Sequence, residues 1–162
     1  MLPTPFIIFA RFFWLISIIV NFLNVLRWWT VSKKVLVEHP ELAGEYGRLM
    51  KGWLFWGNIP WVVMGVGCMF DGLIVFDYFR PRDGNPFVMA WFCVIFVLWI
   101  LGFRWIVLAN GAEQLARCPG WTLHPQISKP LHVKLLVCLG LTGGIAGTVL
   151  LFTLKIPHFI PQ

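Results

Sequence analysis

The chain has 162 residues, 59% of them hydrophobic and 12% charged, with a formal charge of +6 and a mean hydropathy of +0.78. A water-soluble domain of this size needs far more charge to cover its surface, so the excess apolar mass must face lipid. The positive charge does not point to nucleic acid: the basic residues sit between apolar runs, where orientation and anionic headgroups account for them.

The N-terminus, MLPTPF, lacks a basic n-region, and the apolar run after it is too long for a signal peptide. The first span, residues 6–28, is therefore expected to stay in the mature protein. Its length is about 35 Å as a helix, enough to cross a bilayer with some tilt. Arg11 lies one turn inside it, and Asn21 and Asn24 share a face near its other end.

Residues 30–52 read as a polar connection holding Lys33, Lys34, Arg48 and Lys51. Pro40 fits the first turn of a helix. Beyond it, Leu42, Tyr46 and Leu49 recur at helical spacing, with Glu41, Glu45 and Arg48 on the other side. This predicts a short amphipathic helix, either lying on the membrane or simply solvated.

The second span is expected over residues 53–79. It is apolar enough to cross, yet it carries Asn58, Pro60 and Asp71. Pro60 supplies a cause for a bend. Asn58, Gly65 and Gly72 recur every seven residues, and such a stripe of small residues lets a second helix approach closely. RPRDGNP, residues 80–86, is turn chemistry and predicts a tight reversal.

The third span follows over residues 87–108. A second polar connection, residues 109–130, holds Arg117 and Lys129, with Lys134 just beyond. The fourth span covers residues 131–154. Its Gly140, Gly143, Gly144 and Gly147 form a small-residue surface, with Gly140 and Gly144 in the GxxxG relation.

The fold class these segments define is all-α, an integral membrane four-helix bundle forming one four-span domain. Eight of the thirteen Lys and Arg flank or occupy the two long connections: Arg27, Lys33, Lys34, Arg48, Lys51, Arg117, Lys129 and Lys134. The positive-inside rule then places both connections in the cytoplasm, both termini on the non-cytoplasmic side, and the protein in the cell (inner) membrane. Arg27-Trp28 and Arg104-Trp105, each followed by a Pro-containing stretch and a Gly-rich span, read either as a parallel repeat of two span pairs or as chance matching in a biased composition.

Ionisable groups at membrane depth mark functional candidates. Arg11 and Asn24 are 13 residues apart, as are Asn58 and Asp71. In antiparallel spans, a contact between Asn24 and Asn58 sets Arg11 and Asp71 at one depth. The four would then make one amide pair and one ion pair, either a helix-to-helix staple or a polar ion or ligand site.

Other chemistry has little support. No two of His39, His124, His132 and His158 have metal-ligand spacing with a carboxylate, and His132 is the best single ligand candidate. Cys68, Cys93, Cys118 and Cys138 form no CxxC pair and read as small apolar residues. No catalytic residue, metal or cofactor is indicated, and hydrolytic motifs are missing. The ten Trp read as an interfacial belt plus core packing, or as a groove for a flat lipophilic ligand. The leading function is a non-enzymatic subunit or scaffold in a membrane complex or homo-oligomer, with the bilayer and a lipophilic ligand as partners. The alternatives are an oligomeric channel or transporter with a polar site at Arg11 and Asp71, and an intramembrane enzyme.

Overall fold

Helix α1 runs Thr4–Glu38, well past the apolar stretch that begins it. At about 1.5 Å per residue it is roughly 52 Å long, against about 30 Å of hydrocarbon in a bilayer. Its last turns therefore project beyond any membrane that its first part crosses. In the computed structural model, residues 4–120 and 129–156 are described. The described residues are 87% helical and contain no strand, and among them four helical stretches, Pro5–Glu38, Pro40–Phe70, Pro86–Leu108 and Pro130–Thr153, are long and apolar enough to span a membrane.

The reason α1 continues is tertiary. No Gly or Pro interrupts residues 28–38, and Val35 and Leu36 pack against the buried cluster that holds Tyr46 and Met50. Helix α1 ends where His39, placed before Pro40, leaves the helical region (φ −132°, ψ 67°). A 3-10 turn, Pro40–Leu42, then starts the return through α2, Ala43–Trp56. The expected amphipathic helix thus exists, with Leu42, Tyr46, Leu49 and Met50 in one cluster with residues of α1, and together with α3 it makes up one candidate span, Pro40–Phe70.

A break at Gly57-Asn58 separates α2 from α3, Ile59–Phe70. Pro60 sits in the first turn of α3, where its missing N–H costs no bond. Helix α3 stops at Phe70, not at residue 79. Gly72 takes the left-handed conformation (φ +67°), which favours glycine, and it directs the chain into two 3-10 turns, Val75–Phe79 and Pro81–Asp83. The expected short reversal at 80–86 is therefore a longer folded cap, residues 71–85.

Helix α4, Pro86–Phe103, is capped by Asn85, whose side chain accepts from the Phe87 and Val88 amides. It widens into a π-helical turn, Arg104–Leu108, and α5, Gly111–Arg117, follows. Helix α6 is Pro130–Thr153. The third and fourth spans thus match their expected limits within a residue or two.

The rods follow one another as an open series. Helix α1 packs on α2 and α3, α3 on α4, α5 on α6, and α4 more lightly on α6. One core cluster lies at the end holding the 71–85 cap, built from Ala10, Met64, Cys68, Val75, Tyr78, Val88 and Phe92. The start of α1 is there too, with Phe6 stacked on Phe76 at 5.2 Å. So is the end of α6, where Arg82 binds the Thr153 carbonyl. A second cluster at the opposite end joins Val25, Tyr46, Met50 and Cys118. The lateral surface is apolar: Ile100 is 67% exposed and Leu139 69%.

Candidate functional site

Three polar constructions tie these rods together. The first lies within the α1–α3 interface. The Asn21 side-chain amide donates to Asn58 Oδ1 at 3.0 Å and to the Gly57 carbonyl at 3.1 Å. Asn58 in turn donates to the Leu54 carbonyl at 2.7 Å. The break between α2 and α3 leaves backbone groups without helical partners, and these amides satisfy part of them.

The second construction is the cap over residues 71–85. Arg80 is only 9% exposed. It is paired with Asp77, and with Asp83 at 3.1 Å, each three residues away along the chain. Asp77 also accepts from the Ile74 amide at 2.8 Å. Tyr78 donates its hydroxyl to the Met64 carbonyl at 3.0 Å, fixing the cap to α3. Burial, with Cys68 and Asp77 close by, pushes that phenol well above its ordinary range. Asp71 accepts a hydrogen bond from Asn85.

The third construction is at the other end, where the two long connections meet. Cys118 is fully buried. Tyr46 donates to the Pro119 carbonyl at 2.7 Å, and Arg27 to the Gly120 carbonyl at 2.9 Å. Arg117 lies 3.5 Å from Glu45, and Lys134 lies 2.9 Å from Glu113. Burial, then the Glu45 charge, pushes the Cys118 thiol up to about 11. The hydrogen bond from Lys134 pulls the Glu113 carboxyl below its ordinary range.

The expected pairing of α1 with the second span is off by one helical turn. Asn21, not Asn24, meets Asn58, and Trp14 fills the notch at Gly65, where a Cβ would stand 2.8 Å from the indole. In that register Arg11 stands level with Cys68, and residue 8 stands level with Asp71. Arg11 and Asp71 form no ion pair: Asp71 ends α3, is exposed, and is held by Asn85, while Arg11 is exposed on the flank of α1. Asp71 is therefore a helix-end carboxylate and not one buried mid-span.

The glycines divide in the same way. Gly144 is a true notch, with a Cβ there only 2.6 Å from the Trp99 ring. Gly140 has nothing within 4 Å, and Gly72 is a turn residue with open space around it. Gly67 was not singled out by the seven-residue stripe. A Cβ on it would collide with the Tyr78 hydroxyl and stand 2.9 Å from Phe87 Cβ.

The deeper rings, Trp14 and Trp99, thus fill helix notches and do not line an open groove. At the opposite end Trp28 and Trp53 meet edge to face at 5.3 Å. His39 is exposed beside Glu41, and His132 is exposed in the first turn of α6. Trp121, His124 and His158 lie outside the described residues. Among the described residues no cluster of three His, Cys, Asp or Glu side chains forms. No family model, no curated protein and no solved structure matches this chain.

Proposed function

We propose that this chain is a multi-pass membrane protein of the cell membrane that acts without catalysis, as a subunit packing against further membrane helices. The observation that carries the reading is the face of α6. Gly144 is filled by Trp99 of α4, while Gly140, Gly143 and Gly147 have nothing within 4 Å. Among the described residues no neighbour fills the space at those three glycines, the outer flank of α1 is exposed, and small residues allow a second backbone to come close. The interior polar groups support a structural role as well. Asn21, Asn58, Tyr46, Tyr78, Arg27 and Arg80 are engaged in bonds that join one element to another or brace the cap. A transport site built from Arg11 and Asp71 has no such support, since Asp71 is held by Asn85 and Arg11 is exposed on the flank of α1. Both termini on the non-cytoplasmic side remains the proposed orientation, from the basic residues of the two long connections.

The test is the mass of the particle in lipid nanodiscs or mild detergent, with a second copy as the first partner examined. The expected result is an oligomer that dissociates when Gly140 and Gly147 are both changed to Leu, with helicity unchanged. A wild-type protein that stays monomeric and captures no other membrane protein on gentle extraction would sink the proposal.

A further inference from the structure

The end of α6 and the 80–83 turn enclose a groove of about 550 Å³, lined by Arg80, Arg82, Asp83, Leu154, Lys155 and Ile156. We infer that this groove holds the phosphodiester headgroup of an anionic phospholipid, gripped by Arg82 and Lys155.

The charges favour an anion. Three cationic side chains face one carboxylate, and that carboxylate, Asp83, is already held by Arg80 at 3.1 Å. Arg80 is occupied by Asp77 as well, so the cations that meet a ligand are Arg82 and Lys155, both exposed.

The C-terminal end of a helix carries partial negative charge and by itself repels phosphate. Here Arg82 Nη1 donates to the Thr153 carbonyl at 2.8 Å. That bond covers part of the negative end and restrains the guanidinium, which remains exposed. A guanidinium whose orientation is already set loses little freedom on gripping phosphate oxygens. Lys155, two residues past Thr153, adds an ammonium from the other wall.

Position selects a lipid over a free anion. The apolar run of α6 ends at Thr153, so the groove lies at the level where hydrocarbon gives way to headgroups. Leu154 and Ile156 supply an apolar wall beside the cations, along which an acyl chain runs back toward the bilayer. The inference rests on the chain spanning a membrane, as proposed above, and not on its oligomeric state.

The experiment titrates detergent-solubilised protein with equimolar phosphatidylglycerol and phosphatidylcholine and reads the lipids retained by native mass spectrometry. Wild type is expected to favour phosphatidylglycerol. Lys155→Gln alone, which breaks no bond among the described residues, is expected to lower that preference roughly fivefold, and Arg82→Gln with Lys155→Gln roughly 25-fold, from the attraction of one cation each to an anionic headgroup. Lys51→Gln, at the far end of the molecule, is expected to leave it unchanged. Equal preference in wild type and Lys155→Gln would overturn the site. So would inorganic phosphate displacing the lipid at equal concentration, because the ligand would then be a soluble anion. Carbonate washing of reconstituted vesicles separates the two levels: release of the protein defeats the membrane reading and this one together, whereas retention without lipid preference defeats the headgroup site alone.

Discussion

Asn21 reaches across from α1 to Asn58 at the break between α2 and α3, amide to amide at 3.0 Å, and the same nitrogen holds the Gly57 carbonyl at 3.1 Å. Two bonds from one donor group fix the depth of α1 against the second span. Asn21→Ala is expected to destabilise the protein by about 1 kcal/mol, the size measured for polar contacts between membrane helices. Asn24→Ala, one turn away, serves as the control and leaves stability within about 0.5 kcal/mol. Reversible unfolding in mixed micelles measures both. Equal effects at the two positions would contradict the register.

Gly65 and Gly144 are notches for indole rings from another helix, and their substitution discriminates packing from mere composition. Gly65→Leu and Gly144→Leu each drive a side chain into a tryptophan, Trp14 or Trp99, and are expected to cost about 1–3 kcal/mol. Trp14→Ala and Trp99→Ala, placed in the matching background, recover part of the loss. Gly140→Leu meets open space and leaves the fold intact. Thermal unfolding of the five variants checks the set, and a Gly140→Leu protein as unstable as Gly65→Leu would refute this division.

Hydropathy placed two of the four apolar helices within a residue or two of their limits, because apolar length is a local property. The limits of the third and fourth follow from Asn85-Pro86 and Lys129-Pro130, where chain-stopping chemistry and apolar run coincide. The first span ran ten residues longer because Val35 and Leu36 pack on α2, a tertiary contact that residue pattern along α1 does not display. The second ended early because Gly72 enters the left-handed region and the apolar residues 73–79 serve the cap, where Val75 and Tyr78 are buried. Composition alone cannot tell a buried cap from a span. The candidate site failed for a related reason. Equal spacings between Arg11 and Asn24 and between Asn58 and Asp71 fix a register only if both stretches are continuous helix. The break at Gly57 and the helix end at Asp71 remove that condition, leaving Asn58 as the residue of the four that crosses to the other helix.

Arg80 is the centre of the cap, and its removal is expected to be the most damaging single change at that end. Arg80→Met strands two carboxylates, Asp77 and Asp83, whose side chains are 24% and 49% exposed. Breaking such a pair on one side costs about 2–4 kcal/mol when the partner stays partly wet, somewhat below the range for full burial. Asp77→Asn is expected to cost more than Asp83→Asn, because Asp77 also receives the Ile74 amide. The readout is unfolding midpoint together with protease cleavage between residues 71 and 85. An Arg80→Met protein with wild-type stability and no new cleavage would show that the web is dispensable.

At the opposite end the Glu113–Lys134 pair joins α5 to α6 at 2.9 Å, and it carries a pH dependence of known sign. The Lys134 hydrogen bond holds the folded-state carboxyl below its ordinary value. The unfolded chain therefore takes up a proton first as pH falls. The contribution of the pair is complete above the ordinary glutamate range, near 4.3, and declines as pH drops through the folded-state value. Both side chains are partly exposed, 41% and 31%, so water and salt screen the pair and the effect is small. Comparing wild type with Glu113→Gln isolates it: the stability difference between them is expected to be constant from neutral pH down to about 5, and to shrink below that. Raising the salt concentration narrows the difference at neutral pH. A gap that widens on acidification would mean that Glu113 is held neutral in the fold, and Lys134 would then have to be paired with something else.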